Sequence, residues 1–266
     1  QDIFTMDPLL HIRKMPGMYM GDIESPSGHV QLIKELLDNS ADEAALSSDF
    51  SRIDINLIRT SDSYQVIISD NGRGIPLNKL ESALTDPRTS GKWSESYGAS
   101  SGIHGVGAKG TCALSSVFAG FSCRSEGTAM VVNRDLKNVR SQVRGEGQDQ
   151  CNQGTTVYFT PEPSVVKGQE RFFEGEDSGI RELIELCRFV SAFLPNTVIR
   201  ITESSKPVGK TLFDKGRPWD LKQRLDNWRY DKVLLETDPN ETPTDYLRNT
   251  LGFSDTVWSL QLDKSY

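Results

Sequence analysis

Apolar residues recur at helical spacing between Val30 and Ala44. Val30, Ile33, Leu37, Ala41 and Ala44 fall on one stripe, and Glu35, Asp38, Asn39 and Asp42 on the opposite one. At about 3.6 residues per turn this pattern predicts an amphipathic helix. The period then changes to that of a half-buried strand, with Ile53, Ile55 and Leu57 separated by Asp54 and Asn56. Thr60 to Ser63 reads as a turn, and Tyr64 to Ser69 as a second strand ending in Asp70-Asn71-Gly72-Arg73-Gly74. Further on, a helical apolar stretch is expected from Ala108 to Ala119, then two strands from Gly120 to Val132 around Glu126-Gly127. Asn133 to Gly154 reads as a polar loop with weak strand character at Val139 to Val143, leading into a strand from Thr155 to Thr160. Pro161 to Gly179 has the composition of a charged loop. Ile180 to Phe193 returns to helical spacing, with Leu183, Leu186, Val190 and Phe193 on one side; Pro195 stops it, and Thr197 to Thr202 is a strand. Elements in this order predict an α/β fold, a two-layer α+β sandwich with a mixed sheet and helices on one face.

Composition narrows the class. A chain of 266 residues is long enough for one large core and an appendage. It has no apolar run of membrane-spanning length and no signal peptide at its start, so a cytoplasmic, reducing setting is expected. The first residue is Gln1 rather than Met, which suggests a missing upstream piece. The net charge of −7 argues against strong DNA binding by this segment alone. Arg13 and Lys14 form a basic pair best read as solvated. The 4 cysteines, Cys112, Cys123, Cys151 and Cys187, lack CxxC spacing and read as reduced, structural and not metal-binding.

Candidate chemistry lies on the polar stripe and the glycines. Glu35 and Asn39 are spaced i,i+4, so both heads reach toward one point. Such a stripe also fits a plain solvent face, but Asn is a poor mid-helix residue, and its side-chain oxygen suits a hard cation. Asp70 sits at a strand end before Gly72 and Gly74. An ordinary turn explains Asp-Asn-Gly; the second glycine points to close backbone approach to a ligand, with the carboxylate accepting from an amine such as that of adenine. Gly91, Gly98, Gly102, Gly105, Gly107 and Gly110 form a glycine-rich stretch that reads either as a surface loop or as a phosphate cradle. Gly105 to Gly110 fits GxGxxG, but no apolar strand enters it, and Glu126 comes too early for the ribose-binding acid. The Walker pattern fails because Gly110 separates Lys109 from Thr111.

Read together, HIRKMPGMYMGD (His11 to Asp22), ELLDNSADEA, DNGRGIP, SGKW, SGIHGVGAKG and GTTVYF resemble, in that order, the ATPase domain of type IIA DNA topoisomerases, found in the B-type chains of gyrase and topoisomerase IV. The acidic helix and DNGRGI alone resemble a wider group that includes MutL, heat-shock chaperones and sensor histidine kinases; RKMPGMYMG narrows it to topoisomerases. The resemblance covers His11 to Phe159 and thins thereafter. It implies the left-handed Bergerat ATP-binding fold, with a mostly antiparallel sheet, and the cofactors ATP and Mg²⁺. By position, Glu35 matches the general base that aligns water and Asn39 the Mg²⁺ ligand. Asp70 matches the aspartate that reads the adenine amine, and Thr155 the threonine that supports it. Gly74, Ile75 and Pro76 match the base pocket, with Asp42 and Arg73 beside it. Lys92, Tyr97, Gly102, His104, Gly105, Val106 and Gly107 match the ATP lid, placed at about residues 86–107. In that lid His104 is read as a packing or hinge residue, since no carboxylate or Cys is spaced to orient it. Arg124 matches an arginine at the pocket mouth that contacts coumarin inhibitors.

The same resemblance implies a homodimer on ATP binding, a DNA-cleaving A-type subunit, and duplex DNA in the full complex. It divides the chain into an ATPase domain, 1–212, and a partial or divergent start of a transducer, 213–266. Some positions depart from the family. Ser90-Gly91 and Ser101-Gly102 replace glycine pairs, which should stiffen the lid slightly without abolishing binding; no Gln-Thr-Lys tripeptide is present, which implies ATP binding with weak hydrolysis. The alternatives are a MutL-like repair ATPase, a nucleotide-binding switch without efficient hydrolysis, and an NAD oxidoreductase resting on GxGxxG.

Overall fold

Asp7 and Ser25 begin the first helices by accepting hydrogen bonds from backbone amides, Leu10 N at 3.1 Å and Gly28 N at 3.1 Å. Each is followed by a proline whose missing N–H costs nothing at a helix start. In the computed structural model, residues 7–61, 63–86, 107–145, 152–175, 177–208, 222, 225 and 228–251 are described. Helices α1 (Pro8–Lys14) and α2 (Gly17–Met20) lead into α3 (Pro26–Ala45). Strands β1 (Ser51–Arg59) and β2 (Tyr64–Asp70) follow, then α4 (Leu80–Thr85) and α5 (Gly107–Ala113). Next come β3 (Ser115–Arg124), β4 (Gly127–Arg134), β5 (Lys137–Gly145) and β6 (Gly154–Pro161). A 3₁₀ turn (Gln169–Phe172), α6 (Gly179–Ala192), β7 (Thr197–Ser204), β8 (Lys232–Glu236) and α7 (Pro243–Leu251) complete the order.

The strands form one 8-stranded sheet in the order β5-β4-β3-β6-β2-β1-β7-β8. β1 and β7 pair in parallel and the other neighbours antiparallel, so the sheet is mixed and mostly antiparallel, as expected. The helices α3 to α6 pack on one face. Val30, Ile33, Leu37 and Ala44 of α3 are buried there with Ile53, Ile55, Leu57, Val66, Ile68, Phe118 and Phe159. The opposite face is covered too: Ile58, Ile67, Phe121, Met130 and Tyr158 pack with Val208 and Leu225, with Trp228 beside them. For this reason β1 is not half-buried along its second half, where Asn56 is buried and accepts from Thr202 Oγ1 at 2.5 Å. Among the described residues, no helix is long and apolar enough to cross a membrane.

Three local expectations are corrected. The helix placed at Ala108 to Ala119 ends at Ala113, and Ser115–Arg124 is strand β3. Lys109, Thr111, Ser115 and Ser116 interrupt the run without forming a clear stripe, so periodicity does not choose; pairing on both sides with β4 and β6 decides. The loop read from Asn133 to Gly154 contains a full strand, β5, joined to β4 by Asp135-Leu136 at φ of 47° and 68°. Both residues are left-handed, as a tight hairpin needs, without the usual glycine that would mark it. β5 is an edge strand exposed along most of its length, so it carries little apolar alternation. Phe193 is 54% exposed, and Cys187 joins Leu183 on the buried side of α6 instead.

The cysteine reading is also corrected. Cys112 and Cys187 are buried free thiols whose pKa values burial raises. Cys123, however, is disulfide-bonded, with its other half outside the described residues. The absence of CxxC spacing speaks to metal sites and is silent on cysteines that tertiary structure brings together.

Gly154 shows how tightly the strands meet at the end of β2. Its φ is +132°, and a Cβ there would lie 1.9 Å from the Asp70 carbonyl oxygen. Gly154→Ala is expected to destabilise the chain by about 3 kcal/mol or more, read by urea denaturation. An unchanged midpoint would show that β6 can move away from Asp70 at no cost.

Candidate nucleotide site

Asp70 is the last residue of β2, where the strand meets α3 on one side and β6 on the other. Its Oδ1 accepts from Gly72 N at 3.0 Å and Thr155 N at 3.2 Å; its Oδ2 accepts from Ser40 Oγ at 3.1 Å. Burial pushes its pKa up to about 6, partly offset by these three hydrogen bonds, while the Glu43 charge adds to the rise. Thr155 therefore touches Asp70 through its backbone amide.

α3 carries the rest of the site along one ridge. Glu35, Asn39 and Glu43 are spaced i,i+4,i+8, which spans about 12 Å of helix. At one end Glu35 is half-buried against α5: a Cβ on Gly107 would lie 2.9 Å from its Oε2. Gln31 Nε2 donates to its Oε1 at 2.5 Å. Burial raises the Glu35 pKa, opposed by the Gln31 hydrogen bond, with Asp38 raising it further and Lys34 lowering it. At the other end Glu43 accepts from Arg73: from Nε at 2.7 Å, from Nη2 at 2.9 Å and from the backbone N at 2.8 Å. Burial pushes the Glu43 pKa up, but the bonds from Arg73 outweigh it and hold the carboxyl below its ordinary range. Between the two covered ends Asn39 is exposed, and Asp42 beside it is half-buried. Asp38, the remaining acid of the polar stripe, pairs with Lys34 at 2.5 Å.

The loop after Asp70 is pinned from several sides. Arg124 Nη1 donates to the Gly74 carbonyl at 2.7 Å and to that of Arg73 at 3.3 Å, and Nε pairs with Glu126. Ser122 Oγ donates to the Ile75 carbonyl at 2.7 Å. Ile75 packs against the core, while Pro76 is exposed. Asn71 ties the same loop to β1, accepting from Arg52 N at 2.7 Å. Gly74 has φ of +76°, and a Cβ would meet Ser122 Oγ at 2.8 Å. A Cβ on Gly72 would meet the Glu43 side chain at 2.3 Å. The room these two glycines leave is thus taken up inside the chain, by α3 and β3, where the sequence pointed to a ligand.

The structure brings Asp70, Thr155, Arg73, Gly74, Ile75 and Arg124 together around the end of β2, and sets Glu35 against Gly107. Lys92, Tyr97, Gly102, His104, Gly105 and Val106 lie outside the described residues, as does most of the lid span. Ser40, Glu43 and Ser122 were not singled out from the sequence. Glu43 had a readable signal, since it continues the Glu35–Asn39 spacing. Ser40 and Ser122 had none, because their partners are 30 and 47 residues away in the chain. Among the described residues, no group of three or more His, Cys, Asp or Glu is placed to hold a metal ion. A lone side-chain amide next to ligand oxygens remains a fitting donor set for Mg²⁺, which binds through few protein groups.

A half-buried acid at a strand end and a helix ridge with a half-buried glutamate are held in register by a mostly antiparallel sheet. Residues 24–164 match the family of histidine kinase-, DNA gyrase B- and HSP90-like ATPases, and the chain belongs to that family. Within it the chain is a gyrase B-like ATPase domain. DNA gyrase B of Mycoplasmoides gallisepticum is 32% identical over 200 residues, 72% of this chain and 30% of that protein. DNA gyrase B of Mycoplasma genitalium is 33% identical over 243 residues, 88% of this chain and 33% of that protein. DNA topoisomerase 4 B of Rickettsia prowazekii is 31% identical over 182 residues, 65% and 27% of the two chains. The crystal structure of the 43K ATPase domain of Thermus thermophilus gyrase B, in complex with an aminocoumarin, has a TM-score of 0.56 at 22% identity. It covers 74% of this chain and 49% of that one, a likeness of fold. This chain spans about 30% of the length of the curated relatives it matches. The GxGxxG reading as a dinucleotide site falls with the family, and with a sheet that lacks the parallel order such a site requires.

Proposed function

We propose that this chain binds ATP with Mg²⁺ and hydrolyses it, as the ATPase part of a type II DNA topoisomerase. The observation that carries the reading is Asp70. Its carboxylate is fixed by three donors from α3, β6 and its own loop, and it is held charged against burial only by those donors. A carboxylate so placed selects a ligand that donates, as the exocyclic amine of adenine does.

Glu35 then serves as the general base. Burial makes it more basic than an ordinary glutamate, which suits removal of a proton from water. Asn39 offers its side-chain oxygen from the open middle of the ridge and would hold Mg²⁺ there, where the ion would supply neutralisation of phosphate charge. Arg73 and Arg124 shape the rim of the base pocket through Glu43 and the Gly74 carbonyl. Lys92, Tyr97, His104 and the glycines up to Gly107 complete the set as a lid over the phosphates. In the whole protein, ATP would close a homodimeric gate around duplex DNA cut by an A-type partner, and Arg124 would meet coumarin-type inhibitors.

Thermal melting with and without a Mg²⁺-bound, non-hydrolysable ATP analogue tests the reading. Analogue at about a hundred times its Kd stabilises by about 2.7 kcal/mol, so the melting temperature should climb with concentration. The GTP analogue should do much less. Equal responses to both, or none to either, would defeat the assignment.

A further inference from the structure

Arg13 on α1 does not face water as its sequence context suggests, although its neighbour Lys14 is exposed. The Arg13 Nε donates to the Ala113 carbonyl at 2.6 Å, and Nη2 donates to the Ser115 carbonyl. Ala113 is the last residue of α5 and Ser115 the first of β3. Carbonyls at a helix end have no partner within the helix, so a guanidinium there satisfies them and meets the negative end of the dipole. α2 holds the same helix at its middle. Met20 is 5% exposed, and a Cβ on Gly110 would lie 2.5 Å from its sulfur. The first residue of α5 is Gly107, which abuts Oε2 of Glu35. α5 is therefore a strut about 10 Å long. Arg13 fixes its far end, Met20 its middle, and its near end rests on the glutamate.

We propose that Arg13 is a positioning residue for the Glu35 carboxylate, acting through α5. This rests on the reading of Glu35 as the general base. Without the guanidinium, the carbonyls of Ala113 and Ser115 lose their donor, and α5 gains freedom to slide along its axis. A shift of about 1 Å is enough to spoil a base, since misplacement on that scale costs up to about a hundredfold in rate. Among the described residues, the groups that face Glu35 are Gln31, Lys34 and Asp38 on α3 and Gly107 on α5, a helix whose ionisable members are Lys109 and Cys112. Arg13 is not among the charges that shift Glu35. A change in Glu35 on replacing Arg13 is therefore structural rather than a direct charge effect, and α5 is the element that touches both.

The test uses the full chain labelled with carboxyl-¹³C glutamate, with Glu35→Gln assigning the resonance. The Glu35 titration midpoint is measured in the parent, Arg13→Ala and Arg13→Lys, alongside melting curves and ATP turnover. In Arg13→Ala the midpoint should move down toward the ordinary glutamate range as α5 uncovers the carboxylate. Turnover should fall about tenfold in kcat with KM nearly unchanged. Arg13→Lys, which donates to one carbonyl rather than two, should lie between. An unmoved midpoint in folded Arg13→Ala overturns the proposal; if that variant does not fold, an unmoved midpoint in Arg13→Lys does so. If instead Glu35→Gln hydrolyses ATP as the parent does, the general-base reading fails, while the midpoint still reports on the hold over α5.

Discussion

Glu35→Gln is expected to lower ATP turnover by about 10²–10⁴-fold, the usual contribution of a positioned general base, and to leave nucleotide affinity nearly unchanged. The amide keeps the shape of the side chain, and its oxygen still accepts from Gln31, as Oε1 does now at 2.5 Å. What it loses is the ability to take a proton. On the proposed reading adenine is recognised elsewhere, at Asp70, so binding and turnover should separate cleanly. Single-turnover hydrolysis together with analogue titration gives both numbers. The pH dependence of the parent should carry the same signature. Burial raises the Glu35 pKa, so the rate should be lost on acidification at a higher pH than an unperturbed glutamate would give. Turnover by the Gln variant within a few-fold of the parent would remove Glu35 from the chemistry.

Asp70→Asn should act on affinity and on stability in opposite senses. Its carbonyl oxygen must take the place of Oδ1, because Gly72 N and Thr155 N both donate there. The new amide then points where Oδ2 was, toward Ser40, and presents a donor in place of an acceptor. A hydrogen bond to a charged group contributes about 1.5–3 kcal/mol, so ATP affinity should fall by about ten- to a hundredfold, with GTP gaining in relative terms. The ligand-free chain should become more stable above neutral pH. The folded-state pKa of Asp70 is about 6 against an ordinary 3.8. An acid raised in this way leaves the fold at full strength below the unfolded pKa and weakens it as pH climbs through about 6. That difference is worth about 3 kcal/mol. The uncharged Asn escapes it, so the gap between variant and parent should open between pH about 4 and 7 in denaturation curves. A variant less stable than the parent at pH 8 would show that Asp70 is not strained by burial. On the proposed reading, the site keeps a costly charge at the end of β2 to offer the ligand an acceptor.

Much of this site is legible in the sequence. The helical phase of Glu35 to Ala44 puts Glu35 and Asn39 on one face and the apolar residues on the other, and α3 follows it because local spacing alone decides which side of a helix is buried. Asp70 at a strand end follows from the short apolar run of Tyr64 to Ser69 and the glycine turn after it. The signature motifs place the chain among gyrase B-like ATPases. What the sequence does not carry is partnership across distance. The hold of Ser40 and Thr155 on one carboxylate, the covering of Glu43 by Arg73, and the seat of Arg13 under α5 join residues up to 102 positions apart. The stretch after Ala113 reads wrongly as helix for the same reason: its apolar residues suit either period, and only the neighbouring strands β4 and β6 choose. Local sequence sets the period and the face of each element, because those depend on bonds between near neighbours. Tertiary structure alone decided which distant donors reach each carboxylate, and through that the charge each one holds.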